Sequence, residues 1–207
     1  WTLRTTTVPV TDYPGLIEAY RVSKFWHNRE KEMKTLEEGK DTAEYLMGQW
    51  EVFNEYAEGK NMVSSSAFKY AMRYIFFKAA DNYKFAFREQ QDTSSNFQFL
   101  LNLGECFLRL EEYKHAIETL EYAKGSYKSN ARLMAILGEA YFHSGDTTRS
   151  LLSFREAFFI DPAEIDLTVL KAKPITELVE IVKKERADFK DIAEWIPIYG
   201  YIHDVFY

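Results

Sequence analysis

The residues able to do chemistry are few and scattered. Four histidines, His27, His115, His143 and His203, stand far apart, and none belongs to an H-E-x-x-H pair that would set two imidazoles on one helical face around zinc. Glu111, His115 and Glu118 follow one another at four- and three-residue steps, which puts an imidazole between two carboxylates on one side of a helix. The same spacing describes an ordinary solvated face, so no metal site is expected there. Cys106 lies beside Phe107 in an apolar stretch, which suits a buried thiol better than a nucleophile. Tyr199 and His203 are one turn apart, but acid–base work needs a third group to orient them. The 9 glycines never form a G-x-G-x-x-G or G-x-x-x-x-G-K-[ST] loop, so nothing would cradle a phosphate. The expectation is a chain with no catalytic residue, cofactor or metal, and not an enzyme.

Composition narrows the partners. With 46% hydrophobic and 28% charged residues over 207 positions, the chain can fill a core. Its net charge of −6 and the lack of any basic run argue against nucleic acid. A single cysteine rules out an intrachain disulfide. No apolar stretch reaches the roughly 20 residues of a membrane helix, and no secretory leader opens the chain. The first residue is Trp1 and not Met, so a processed protein or a fragment is expected, with cytoplasm and periplasm both open. Aromatic residues make up 16% of the chain, so the core or an interface must be built from rings. Each is worth roughly 1.5–3 kcal/mol when buried.

Helical spacing organises most of the chain into a single all-helical domain. Residues 1–11 are β-branched and carry Pro9, which reads as an extended lead-in. Asp12 would cap a helix running to about Leu36, with Leu16, Tyr20, Phe25 and Trp26 inside. Asp41 and Glu44 have capping-box spacing ahead of Leu46, Trp50, Phe53 and Ala57, and Gly59 would stop that helix. Ser64, Ser65 and Ser66 offer caps for the aromatic segment 66–89, whose rings occur on so many sides that it should be central. The stretch 92–96 reads as a loop.

Beyond that loop the chain repeats. Leu100-x-x-Leu103-Gly104-x-x-Phe107 matches Met134-x-x-Leu137-Gly138-x-x-Tyr141, and the glycines differ by 138 − 104 = 34 positions. Ala116, Leu120 and Ala123 match Ser150, Phe154 and Ala157 at the same offset, and Pro162 closes the second copy. Small residues at these places let two helices approach closely. Over 97–164 the pattern resembles the tetratricopeptide repeat family. It departs from that family where Leu100 and Met134 replace a tryptophan and where Lys128 replaces a terminal proline.

The resemblance implies an all-α fold, with helical hairpins forming a short α-solenoid, flanking packing helices and an extended N-terminal segment. Within it fall helices to residue 59, a degenerate third repeat as a candidate over 60–96, repeats over 97–130 and 131–164, and capping helices over 165–207. Two repeats need neighbours to bury their ends. After Pro162, short helices are expected over 165–171 and again behind Pro174, with Leu178, Ile181 and Val182 inside. The C-terminal segment 195–207, apolar and broken over 195–202, would fold over the end or offer a patch to a partner.

The resemblance also implies a groove lined by the first helix of each hairpin. Its positions here are Gln98, Leu101, Glu105, Leu108 and Arg109, then Arg132, Ala135, Glu139, Phe142 and His143. Relatives that grip a C-terminal carboxylate use Lys and Asn where this chain has Leu101, Glu105, Ala135 and Glu139, so that ligand is not expected. The two glutamates suit a basic or amide-donating protein or peptide, and replacing both by lysine should weaken its binding without unfolding the chain. The implied function is a non-catalytic protein-binding scaffold. The alternatives are a small-ligand protein with its pocket inside the aromatic segment, or a non-catalytic domain of a larger envelope protein or enzyme.

Overall fold

The computed structural model describes residues 15–89, 96–126, 130–185 and 191–206, and every regular element among them is helical. The fold class is all-α. The lead-in over 1–11, the Asp12 cap, Lys128 and most of the loop at 92–96 lie outside the described residues. Where one domain is expected, the chain forms two compact units, 1–88 and 89–207.

In the first unit, α1 (Leu16–His27) and a short α2 (Glu30–Met33) replace the single helix expected to Leu36. The break falls at Asn28 and Arg29. The Arg29 guanidinium lies 3.5 Å over the Phe25 ring and donates to the Phe25 carbonyl and to the side chain of Gln49. Contact with the next helix, α3 (Lys40–Glu58), comes from the last turn of α1: Phe25 meets Phe53 at 4.9 Å and Tyr56 at 5.7 Å, and Trp26 meets Phe53 at 5.4 Å. Leu16 and Tyr20, expected inside, are therefore exposed.

α3 buries Leu46, Trp50, Phe53 and Ala57 as its spacing predicts, but its start differs from expectation. No capping box forms. Gly39, with φ of 113°, is the cap, and its amide donates to Asn82 of α4 (Ser66–Glu89) at 2.8 Å. Asp41 sits in the first turn, where its charge suits the positive end of the helix dipole. The helix ends at Glu58 with Gly59 as its C-cap, as expected, and Asn61 at φ 54° turns the chain away. Amides of Asn61 and Met62 return to the carbonyls of Glu58 and Ala57, closing the helix end.

α4 starts where the serines predict, with Ser65 accepting from the Phe68 amide at 3.2 Å. It then runs 24 residues without interruption, so the candidate repeat over 60–96 is not a hairpin. No glycine or proline lies within it to open a turn. Trp50 is the hub of the packing, with Phe68 at 5.2 Å and Phe76 at 5.1 Å. The expected central placement holds for one side only. Phe68, Phe76 and Tyr83 are buried, whereas Tyr70, Tyr74, Phe77 and Phe85 face solvent.

The second unit opens with two hairpins, α5 (Asn96–Arg109) with α6 (Tyr113–Ser126), and α7 (Ala131–His143) with α8 (Thr147–Ile160). Both ends of α8 lie 34 residues beyond those of α6 (147 − 113 and 160 − 126), as does the end of α7 beyond that of α5 (143 − 109). The turns match as well. Glu111 at φ 64° and Gly145 at φ 90° occupy the same place, and the following amides, Glu112 and Asp146, return to the carbonyls of Phe107 and Tyr141. A side chain added at Gly104 would meet Leu120 at 2.5 Å, and one added at Gly138 would meet Phe154 at 3.0 Å. Each glycine thus seats the matching large residue of its partner helix. α5 packs on α6 and α7, α6 on α7, and α7 on α8.

Asn130 caps α7 by accepting from the Leu133 amide at 2.7 Å. Replacing it with alanine should cost about 1 kcal/mol in urea denaturation, with serine restoring most of that. Beyond α8, a 3-10 turn at Pro162–Glu164 leads into an irregular strap over 165–172 in place of the expected short helix. α9 (Lys173–Glu185) follows with Pro174 in its first turn and Ile175, Leu178 and Val182 buried. A second 3-10 turn, Ile192–Trp195, leads into α10 (Ile196–Ile202).

Candidate partner-binding surface

The inner-face positions of the hairpins divide into a buried floor and an accessible rim. Leu101, Glu105, Leu108, Ala135 and Glu139 are buried, which corrects the expectation that they line an open groove. Gln98 and His143 are exposed, and Arg109, Arg132 and Phe142 are half-buried. The two glutamates lie 139 − 105 = 34 positions apart but are satisfied differently. Glu105 is held by Arg132 at 2.5 Å and Arg109 at 3.3 Å, joining α5 to α7 by charge-assisted hydrogen bonds.

Glu139 receives the strap instead of a ligand. Its two carboxylate oxygens accept from the backbone amides of Lys171 at 2.6 Å and Ala172 at 3.0 Å, just ahead of α9. His143 lies 2.9 Å from the same carboxylate and stacks on Tyr113, with ring centroids 5.0 Å apart. Buried Leu170 and Ala172 complete the strap's seat. A carboxylate placed to take amide hydrogens is thus occupied by the chain's own backbone. Replacing both glutamates by lysine would bury one cation beside Arg109 and Arg132 and another against the strap, orphaning two amides, so folding should be perturbed first.

No protein-family model, curated protein or solved structure matches the chain.

The remaining chemistry-bearing residues are placed as follows. Glu111 sits in the left-handed turn and off α6, so it shares no helical face with His115 and Glu118; His115 pairs with Glu112 at 3.2 Å. Among the described residues, no group of three His, Cys, Asp or Glu side chains could hold a metal ion. Cys106 is fully buried. Tyr141 donates to Glu121 at 2.5 Å and lies under the Arg149 guanidinium; burial, then the Glu121 hydrogen bond, pushes its phenol up from the ordinary value. Tyr199 does find a third group, donating to Glu185 of α9 at 3.0 Å while stacking on His203. That bond ties α10 to α9.

The C-terminal segment is both folded over and partly exposed. Ile196, Tyr199 and Phe206 are buried, with the Phe206 ring against Gly200. Ile198, Tyr201 and Ile202 face solvent, and Tyr201 meets exposed Phe159 of α8 with ring centroids 5.8 Å apart. A methyl group at Gly200 would lie 2.2 Å from the Phe206 ring. Gly200→Ala should therefore release Phe206 and lower stability by about 2 kcal/mol, read as a lower urea midpoint with faster hydrogen exchange at the Val205 and Phe206 amides. No helix among the described residues is long and apolar enough to cross a membrane.

Sequence reasoning missed the strap because its hydrogen bonds use backbone amides, which leave no side-chain signature. The signal that could have found it is the pairing of Glu139 with a downstream helix start at Pro174, since a free N-terminal turn attracts a carboxylate.

Proposed function

We propose that the chain is a non-catalytic scaffold of the tetratricopeptide type that binds a protein or peptide. The observation that carries this reading is the hairpin equivalence: matched helix ends, matched left-handed turns at Glu111 and Gly145, and matched seats of Leu120 on Gly104 and Phe154 on Gly138. A short α-solenoid built this way offers its inner rim to a partner, while the buried floor sets spacing and rigidity. The accessible rim residues, Gln98, Arg109, Arg132, Phe142 and His143, make a mixed surface suited to a peptide backbone with apolar and acidic side chains. The exposed face of Ile198, Tyr201, Ile202 and Phe159 supplies a second, apolar contact.

The test is affinity capture by the full chain from its native source, identification by mass spectrometry, and calorimetry with the purified captured protein. A Gln98→Ala, Phe142→Ala double variant of unchanged thermal midpoint should lose most of the binding heat. Capture of an identical set with unchanged affinity by that variant would remove the rim as the site.

A further inference from the structure

The first unit carries a surface that the hairpin reading does not use. On α4, Tyr70 is 81% exposed, Tyr74 56% and Phe77 51%, and Phe85 continues the line at 41%. Steps of four and three residues place Tyr70, Tyr74 and Phe77 on one face, the seam by which one helix packs along another. From Tyr70 to Phe85 the stripe runs about 22 Å at 1.5 Å per residue, or about four turns of a partner helix.

Charge sets the second half of the argument. α4 holds Lys69, Arg73, Lys78, Lys84 and Arg88 against Asp81 and Glu89, five minus two or +3, within a chain of net −6. Lys84 lies 3.6 Å from Asp81. Lys69, Arg73, Lys78 and Arg88 are exposed and have no carboxylate at ion-pair distance among the described residues. Helical periodicity puts Lys69 and Arg73 along one flank of the ring stripe and Lys78 along the other. Tyrosine and arginine are the side chains that most often dominate the energy of protein interfaces.

We infer that this face of α4 docks an amphipathic helix of a partner protein whose apolar seam is flanked by glutamate or aspartate. The rings take the seam and the cations take the flanks, the arrangement that fixes pairing between two helices. A broad anionic surface fits less well. Neighbouring α3 carries Asp41, Glu44, Glu51, Glu55 and Glu58 against Lys40, one minus five or −4, and would repel a bilayer or a polyanion that a single slender helix avoids. A second copy of the chain would set cation against cation if α4 met α4.

The site is independent of the hairpin rim, so either can fail without the other. The probe is a fluorescent synthetic helix of about 18 residues, with leucines at the seam and glutamates on both flanks. Anisotropy titration with the full chain should give saturable, salt-weakened binding. A lysine-flanked or scrambled peptide should bind at least about tenfold more weakly. Tyr74→Ser with Phe77→Ser, both exposed, should abolish binding without changing helix content, and Arg73→Glu with Lys78→Glu should turn preference toward the lysine-flanked peptide. No saturable binding, equal binding of the scrambled peptide, or insensitivity to both variants would overturn the assignment. So would α4-dependent binding of anionic vesicles or single-stranded oligonucleotide in preference to the acidic peptide, or an α4-dependent dimer in sedimentation.

Discussion

Glu139→Ala should destabilise the second unit by about 3 kcal/mol, the usual cost of removing one partner from a buried charged hydrogen-bond set. The carboxylate is almost wholly buried and serves the amides of Lys171 and Ala172 together with His143. Without it, two amides just ahead of α9 lose their acceptor and the strap loses its anchor. Glu139→Gln keeps one acceptor oxygen and should cost about half as much. Urea denaturation gives the size of the effect, and hydrogen exchange gives its place, since the amides of Lys171, Ala172, Ile175 and Thr176 should lose protection before those of α7. Uniform loss across the unit, or a glutamine variant as damaged as alanine, would show that Glu139 acts through its charge and volume and not by receiving the strap.

The second large effect concerns the glycine seats. Gly104→Ala gains helix propensity of up to about 1 kcal/mol but forces a methyl group to 2.5 Å from Leu120, whose branch atom is itself 2.6 Å away. Leu120 is fully buried and cannot swing clear, so overpacking should win by about 1–2 kcal/mol. Gly104→Val adds a second branch and should cost about 3 kcal/mol or more. At Gly138 the nearest atoms of the Phe154 ring are 3.0 Å or farther, a gap that a few tenths of an ångström would relieve, so Gly138→Ala should be near neutral. The sign is checked in a Leu120→Ala background. There Gly104→Ala should become stabilising, and two substitutions that simply add would refute the seat.

How far the sequence carried this picture depends on what kind of signal each feature left. The hairpins were legible because their period is written in side chains: Gly104 and Gly138, Leu120 and Phe154, and Ala116 and Ser150 all fall at one offset. The core of α3 was legible for the same reason, since Leu46, Trp50, Phe53 and Ala57 trace one helical stripe. The start of α3 was not. Asp41 had the right residue type, but the fold uses Gly39 as the cap, because the Gly39 amide is claimed by Asn82, 43 positions away. Distance in sequence hides such a partner. In α4, counting rings could not tell the buried Phe76 from the exposed Phe77. On the inner face, Glu139 carried a correct chemical message, an acceptor for amide hydrogens, but the donors proved to be the chain's own strap.

The most direct test of the repeated hairpin is a nuclear Overhauser measurement on a sample labelled at leucine methyls and phenylalanine rings. Cross-peaks from the Gly104 α-protons to the Leu120 methyls, and from the Gly138 α-protons to the Phe154 ring, are the expected result. If neither pair is seen, or if only one glycine contacts its assigned partner while the other faces an unrelated side chain, the two segments do not share one packing.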